Sequence, residues 1–158
     1  MTGFRRGTRL GVDVGTARVG VARCDLDGLL ATPVETVARA DGDPVARVLA
    51  LAVEYDVIEI VVGLPVALSG RETASTADAR EFADEVARRA VGTPVRLVDE
   101  RLSTVTAHAA LRQSGRSQRR SRNIVDQVAA VVLLQQALDV EKQTGRPPGS
   151  PVSPQEPA

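Results

Sequence analysis

The sequence predicts an α/β fold built on a mixed five-stranded sheet with helices on both faces. Three strand-like segments come first, and the connections between them are too short to hold a crossover helix, so these strands run antiparallel. Short apolar strands then alternate with amphipathic helices, as in parallel strands joined by helices. A chain of 158 residues has the size of one domain. We expect residues 1–142 to form a single domain and the proline-rich residues 143–158 to be a disordered tail.

The antiparallel strands are predicted at 9–14, 19–25 and 29–37, where the sequence reads RLGVDV, VGVARCD and LLATPVETV. The GTAR segment links the first two strands tightly, and the Asp27-Gly28 pair supplies the turn between the second and the third. These direct links indicate a meander.

The next segment has helical periodicity. Asp43 and Pro44 are typical of a helix start, with the aspartate as N-cap and the proline at the first helical position, and the helix extends to about Tyr55. Residues 57–63, VIEIVVG, are a short β-branched run of the kind that forms a strand buried on both faces. A loop at 64–71 follows.

The remaining elements continue this alternation. A long amphipathic helix is predicted at 72–90 and another buried strand at 95–99. Two further helices are predicted at 104–114 and 123–142. The fourth and fifth strands should then run parallel to the first.

Composition narrows the class of protein. The net charge is zero, so total charge neither favours nor excludes nucleic-acid binding. Aromatic residues make up 2%, which leaves few rings to stack on bases and favours backbone and shape recognition, as on structured RNA or branched DNA. No apolar run is long enough to span a membrane, and Cys24 is the only cysteine. We therefore expect a cytoplasmic protein with no membrane partner.

Three acidic residues fall in or beside apolar stretches, where an unpaired carboxylate is costly. They are Asp13 in the first strand, Glu100 just past the fifth, and Asp126 in the last helix. The carboxyl ends of parallel strands meet at one sheet edge, which brings Asp13 and Glu100 together near Gly63 at the end of the fourth strand. Asp126 shares a helical stripe with apolar positions four, seven and eleven residues later, so a helix packed on the sheet would present it to the same edge.

Three carboxylates at one point repel one another unless a cation lies between them. Oxygen ligands without His or Cys favour Mg²⁺ or Mn²⁺, and two such ions can stabilise both oxygens of a phosphodiester displacement. The pattern predicts a metal-dependent phosphodiesterase in which Asp13 bridges the ions while Glu100 and Asp126 each complete one coordination shell. His108 is the only histidine, which disfavours a Ser-His-Asp site.

Each acid also has a structural explanation. Asp13 could belong to the turn before Gly15, and Asp126 could stabilise the positive end of its helix. Glu100 could pair with Arg101, in which case Asp99 becomes the alternative ligand.

Residues beside the proposed centre are candidates for phosphate contacts. Gly15, Thr16 and Arg18 could approach a phosphate or simply form a hairpin turn. Ser69, in the loop after the fourth strand, could touch the substrate or only connect strand and helix. Residues 101–125 contain six arginines and no acid, which favours phosphate binding over a solvated charged surface. The candidates from this segment are Arg101, Arg116, Arg119, Arg120 and Arg122.

Four motifs together resemble the YqgF family, the RuvC-like branch of the RNase H-like nucleases. GVDVGTARVGVA, VVGLPVALSG, LVDERLST and VDQVAAVVLLQ occur in the family's order across roughly residues 7–142. The resemblance implies an RNase H-like fold and a divalent-metal nuclease, with Asp13, Glu100 and Asp126 as the family's acids. It also implies a role in maturing the 5′ end of the 16S ribosomal RNA precursor.

One feature departs from the RuvC pattern, in which the last helix carries two acids. Here the next acid after Asp126 is Asp139, more than three helical turns away. This predicts weaker metal binding, or a coordination shell completed by substrate phosphates.

Three other functions remain open on the sequence alone. Holliday junction resolution would use the same chemistry on branched DNA and would favour a homodimer. An actin-like nucleotide-binding module shares the Asp-x-Gly-Thr loop but needs two such domains. A non-catalytic ribosome-assembly or nucleic-acid-binding protein would account for the missing fourth acid.

Overall fold

The computed structural model describes residues 3–100 and 118–153, with side chains of the second range from Gln127 onward. Six strands form one sheet in the order β3-β2-β1-β4-β5-β6. They are β1 (Arg9–Val14), β2 (Arg18–Cys24), β3 (Ala31–Ala38), β4 (Glu59–Leu64), β5 (Val95–Asp99) and β6 (Ser150–Pro151). The helices of the described part are α1 (Pro44–Glu54), α2 (Ala74–Arg89) and α3 (Gln118–Thr144), and a short 3₁₀ turn occupies Arg39–Asp41.

The sheet is mixed, as the sequence predicts. β1, β2 and β3 form an antiparallel meander, whereas β4 runs parallel to β1 and β5 parallel to β4. The prediction of five strands is wrong by one, because β6 pairs antiparallel with the outer side of β5.

Side chains of the sheet alternate between two apolar layers. Leu10 and Val12 of β1 face a core that they share with α1 and α2, including Phe82. Gly11, between them, faces the opposite side and lies directly beneath α3, against Leu134. The helices of the described ranges therefore cover both faces of the sheet, and among them α3 lies on the face that Gly11 shares.

α1 and α2 begin where the chain supplies side-chain caps. Asp43 accepts a hydrogen bond from the Ala46 backbone N–H at 3.1 Å, and Pro44 occupies the first helical position, as predicted. Thr73 caps α2 through reciprocal hydrogen bonds with Thr76, so this helix begins two residues later than predicted.

α3 is longer than predicted, because it begins at Gln118 instead of 123. Ala130, Leu133 and Ala137, three members of the predicted inward stripe, are 0, 1 and 5% exposed and pack the helix on the sheet. The predicted helix at 104–114 lies outside the described residues. Within the described ranges, no helix combines the length and apolar character that crossing a bilayer requires.

The predicted disordered tail is ordered over residues 143–153. α3 continues to Thr144, β6 pairs with β5, and the Val152 N–H donates to the Val95 carbonyl at 2.9 Å. The prediction of disorder was wrong here because the open edge of β5 offers backbone partners that the composition of the tail does not reveal. Residues 154–158 lie outside the described part of the chain.

A buried ionic cluster ties the amino edge of the sheet to the end of α3. Glu141 of α3 accepts hydrogen bonds from Arg9 of β1 at 2.9 Å and from Arg5 at 2.8 Å. Arg5 also reaches Glu59 at 3.0 Å. Arg9, Glu59 and Glu141 are at most 5% exposed, so each charge depends on these partners. The cluster fixes the end of α3 at the amino edge and directs its beginning toward the carboxyl edge.

Candidate active site

The carboxyl ends of β1, β4 and β5 lie side by side at one edge of the sheet, as the sequence predicts. The pair Leu64–Asp99 closes the ladder between β4 and β5. Asp13 lies one residue before the end of β1, and Glu100 directly follows β5. This arrangement brings two of the three predicted acids to one place.

Asp13 and Glu100 form a hydrogen-bonded carboxyl pair. Glu100 is only 8% exposed, and its backbone N–H donates to the Leu64 carbonyl at 3.3 Å. Burial raises the pKa of Glu100 to about 9, and the hydrogen bond and negative charge of Asp13 contribute in the same direction. At neutral pH the Glu100 carboxyl is therefore protonated and the pair holds a shared proton.

Gly63 makes room for this pair. A Cβ atom at position 63 would overlap Oε2 of Glu100 and would lie 3.0 Å from Cδ2 of Leu133. The Glu100 carboxyl consequently lies directly on the backbone of β4, close beneath α3. The sequence pattern predicts Gly63 at this edge, but it does not indicate this role.

Glu100, and not its neighbour Asp99, is the inward acid at the end of β5. Asp99 is exposed, whereas Glu100 is buried. Asp99 is therefore not required as the alternative ligand. The alternative partner Arg101 lies outside the described residues.

The backbone of α3 carries position 126 toward the same pair. The Ala130 carbonyl of α3 lies over Gly11 of β1, and the two elements run antiparallel. From Ala130 back to Asp126 the helix rises ~6 Å. From Gly11 to Asp13 the strand advances ~7 Å toward the same edge. Position 126 is thus level with Asp13.

Asp126 is not in the first turn of its helix, because α3 begins eight residues earlier. The alternative in which this residue stabilises the positive helix end is therefore wrong. Its side chain lies outside the described part, so its contribution as a ligand stays a prediction.

The donor chemistry of the site fits a hard divalent cation. In the described ranges no cluster of three or more Asp, Glu, His or Cys side chains could surround a metal ion, and Asp13 and Glu100 are two of the three predicted ligands. Their carboxyl groups cannot both ionise at this separation without added positive charge. Mg²⁺ and Mn²⁺ would supply that charge and prefer such oxygen ligands.

The connection between β1 and β2 forms a tight hairpin turn beside Asp13. The Gly15 N–H donates to the Arg18 carbonyl at 2.8 Å, as the turn interpretation predicts. Thr16, at the tip, is exposed, and Arg18 is half-buried. A turn at this edge remains compatible with the predicted phosphate contacts of these three residues.

The other predicted substrate contacts lie in different parts of the chain. Ser69 belongs to the exposed loop that leaves β4 at the same edge, and its hydroxyl accepts a hydrogen bond from the Arg71 N–H at 3.4 Å. The remaining candidates divide between the backbone of α3, which carries Arg119, Arg120 and Arg122, and the stretch outside the described residues, which contains Arg101 and Arg116.

Arg39 is a residue of this edge that no motif or periodicity in the sequence indicates. Its guanidinium donates to the Gly15 carbonyl at 2.8 Å and to the Asp78 carboxylate at 2.6 Å. No local pattern links residues so far apart in the chain, so only the fold reveals the contact.

Comparisons with known proteins agree with this geometry. A family described as "RuvX: Holliday junction resolvase" matches residues 7–140. A relative from Leifsonia xyli subsp. xyli is 58% identical over 152 residues, which cover 96% of this chain and 97% of the relative. A relative from Streptomyces coelicolor is 54% identical over 150 residues, covering 94% of this chain and 90% of the relative. Both carry the name "Putative pre-16S rRNA nuclease".

Solved structures show the same fold. "T. thermophilus RuvC in complex with Holliday junction substrate" covers 92% of this chain and 99% of that chain, with a TM-score of 0.56 and 19% identity. "Thermus thermophilus RuvC structure" gives a TM-score of 0.54 at 20% identity over the same shares. The likeness confirms the RNase H-like fold that the sequence motifs imply.

Proposed function

The chain belongs to the RuvX family, and on this premise we propose that it is a divalent-metal-dependent nuclease that processes the 5′ end of the 16S ribosomal RNA precursor. The names of two relatives support this substrate. Each relative is at least 54% identical to this chain over at least 90% of its own length. Both the nuclease family and the carboxyl pair of the site point to the hydrolysis of phosphodiester bonds.

The observation that carries the proposal is the carboxyl pair of Asp13 and Glu100 at the carboxyl edge. A buried carboxyl with a pKa near 9 destabilises the fold at neutral pH. A purely structural role therefore does not explain why the chain has this carboxyl pair. A site that exchanges its proton for a cation accounts for the arrangement.

The residues of the chain have distinct roles in this proposal. Asp13 and Glu100 would hold the ion, with Asp126 as the third ligand, and the fixed strand ends keep the first two in place. When bound, Mg²⁺ or Mn²⁺ supplies positive charge that stabilises the charge developing on the phosphate oxygens. Gly63 keeps the Glu100 carboxyl at its position, and the turn from Gly15 to Arg18 borders the space where a phosphate would approach.

Resolution of Holliday junctions is the second candidate, and the description of the matching family favours it. The same carboxyl pair would serve either substrate, because the chemistry at the phosphate is the same. A homodimer would accompany this alternative, since a four-way junction presents two symmetric cutting positions.

A cleavage assay tests the proposal and separates the two substrates. Wild-type protein is incubated with an RNA carrying the precursor 5′ end, and separately with a four-way DNA junction, in Mg²⁺, Mn²⁺ or EDTA. We expect metal-dependent cleavage of the RNA. We also expect Asp13→Asn to lose more than about 100-fold in rate, a larger effect than the loss of a residue that only supports a ligand.

Asp27→Asn is the matched control. Asp27 is an exposed acid that pairs with Arg6 in the turn between β2 and β3, away from the carboxyl edge. Its variant should cleave like the wild type. Preferential cutting of the junction by a dimer would favour the second candidate, and equal activity of wild type and Asp13→Asn would refute both.

We also propose that the protein acts in the cytoplasm. Its single thiol, Cys24, is free and buried, which suits a reducing compartment.

A further inference from the structure

The side chain of Arg39 links the turn between β1 and β2 to α2. Arg39 donates from Nη1 to the Gly15 carbonyl at 2.8 Å, and its backbone N–H donates to the Ala17 carbonyl at 3.0 Å. The same guanidinium forms a two-pronged pair with Asp78 of α2, at 2.6 and 2.9 Å. Its planar fork can hold both partners at once.

α2 is a rigid support for this contact. Thr76, which is fully buried, donates its hydroxyl to the Pro65 carbonyl and completes the cap of the helix. Asp78 follows two residues later, and the Phe82 ring lies 5.9 Å from the Arg39 guanidinium carbon, within range of a cation–π interaction. Arg39 thus connects the turn to an element that is itself fixed at the site edge.

The direction of the Gly15 carbonyl determines the direction of the next N–H. In a trans peptide the carbonyl and the N–H of one planar unit point in opposite directions. No cis peptide is present in the described residues. Since the Gly15 carbonyl points to Arg39 on the α2 side, the Thr16 N–H points away from α2.

Asp13 lies on the face of the sheet toward which the Thr16 N–H points. Val12 and Val14 of β1 pack toward the core that contains Phe82 of α2. By strand alternation, Asp13 shares the opposite face with Gly11, beneath α3. The Thr16 N–H is therefore directed to the side of the sheet where the carboxyl pair lies.

We propose that Arg39 is a positioning residue that orients the Gly15–Thr16 peptide so that the Thr16 N–H binds a phosphate of the nucleic-acid substrate beside Asp13. This inference rests on the proposed nuclease function. Backbone N–H groups are common donors to phosphate oxygens, and a donor held in place loses little entropy on binding. Arg39 itself does not touch the substrate.

The test compares two ion pairs of similar geometry. Arg39→Gln and Asp78→Asn remove the pair that holds the turn, singly and together. Arg47→Gln and Glu35→Gln remove a pair with contacts of 2.7 and 2.8 Å that joins β3 to α1 and shares no residue with the β1–β2 turn or with α2. All variants are assayed for unfolding free energy, kcat and KM on the precursor RNA.

We expect Arg39→Gln and Asp78→Asn each to raise KM about tenfold, as for the loss of one hydrogen bond to a charged phosphate. The double variant should be no worse than the more severe single variant, because both act through the same turn. The change in kcat should stay within about twofold, since the carboxyl pair is carried by β1 and the end of β5, not by the turn. Arg47→Gln and Glu35→Gln should leave KM unchanged.

Amide hydrogen exchange gives a readout that does not depend on activity. In Arg39→Gln, exchange of the Gly15 N–H, which donates to the Arg18 carbonyl in the turn, should accelerate, whereas in Arg47→Gln it should match the wild type. Binding of the uncleaved RNA to Asp13→Asn in EDTA, with and without Arg39→Gln, should weaken about tenfold with the second change.

The outcomes separate this inference from the function it rests on. If the wild type cleaves and Arg39→Gln keeps KM within twofold, the positioning role is refuted. An equal rise in KM for Arg47→Gln also refutes it, because the effect would then follow general stability. If the wild type does not cleave either substrate, the nuclease proposal fails, while the exchange and binding results still decide the role of Arg39.

Discussion

Replacing Glu100 by glutamine should change how the stability of the metal-free protein depends on pH. In the folded chain the pKa of Glu100 is raised to about 9 by burial and by Asp13, against an ordinary value of 4.5. Between these values the folded chain holds a proton that the unfolded chain has released. The free energy of unfolding therefore falls as the pH rises through this window.

The size of the effect follows from the width of the window. A single group contributes about 1.4 kcal/mol per pH unit while it lies between its two pKa values. Between pH 5 and pH 8 the wild type should accordingly lose ~4 kcal/mol from this source, out of a total stability of about 5–15 kcal/mol. Glu100→Gln has no such titration. Its free energy of unfolding relative to that of the wild type should therefore rise by the same amount between pH 5 and pH 8.

Urea unfolding in EDTA at pH 5, 6, 7 and 8, followed by circular dichroism, measures this difference. Glu35→Gln is the matched control: Arg47 lowers the pKa of Glu35, so its contribution is lost only as the pH falls through that lowered value. Its difference from the wild type should stay constant between pH 5 and 8. Parallel pH curves for the wild type and Glu100→Gln would refute the reasoning, because Glu100 would then titrate like an exposed carboxyl.

Three further substitutions test other parts of the structure. Gly63→Ala should displace the Glu100 carboxyl and reduce the cleavage rate about 100-fold, measured against its unfolding free energy, because the new methyl group would overlap Oε2. Gly11→Ala should cost about 1–3 kcal/mol in urea unfolding, because its Cβ would lie 2.9 Å from the Leu134 Cβ and 3.1 Å from the Ala130 carbonyl. Unchanged stability would show that α3 can shift freely. Glu141→Gln should cost about 3–5 kcal/mol, because it leaves the buried Arg9 charge, and the half-buried Arg5 charge beside it, underpaired. Arg6→Gln, at an exposed pair, should cost less than about 1 kcal/mol.

The pairing directions of the first five strands and the meeting of Asp13 with Glu100 could be predicted because both follow from local patterns. Short links between the first strands require antiparallel pairing, and parallel strands end at a common edge. The sequence predicts Glu100 as the ligand with Asp99 as the alternative, but the burial that separates the two acids depends on how the chain leaves the ladder at Leu64, which local patterns do not show.

Other features depend on contacts between distant parts of the chain. β6 consists of two residues, and its pairing arises from the open edge of β5, which the tail sequence does not show. The cluster of Arg5, Arg9, Glu59 and Glu141 is likewise invisible in the sequence, where these residues look like ordinary surface charges. Their contribution to the free energy of unfolding depends on their burial, which composition does not show.

The acid site and the far edge of the sheet are both completed by elements that follow β5 in the chain. Asp13 and β5 precede α3, which carries position 126, and β6. During synthesis a nascent chain would therefore carry two of its three predicted ligands, and an open edge of β5, until α3 and β6 have left the ribosome. An enzyme whose proposed substrate is ribosomal RNA would thus lack its third predicted ligand until α3 has emerged.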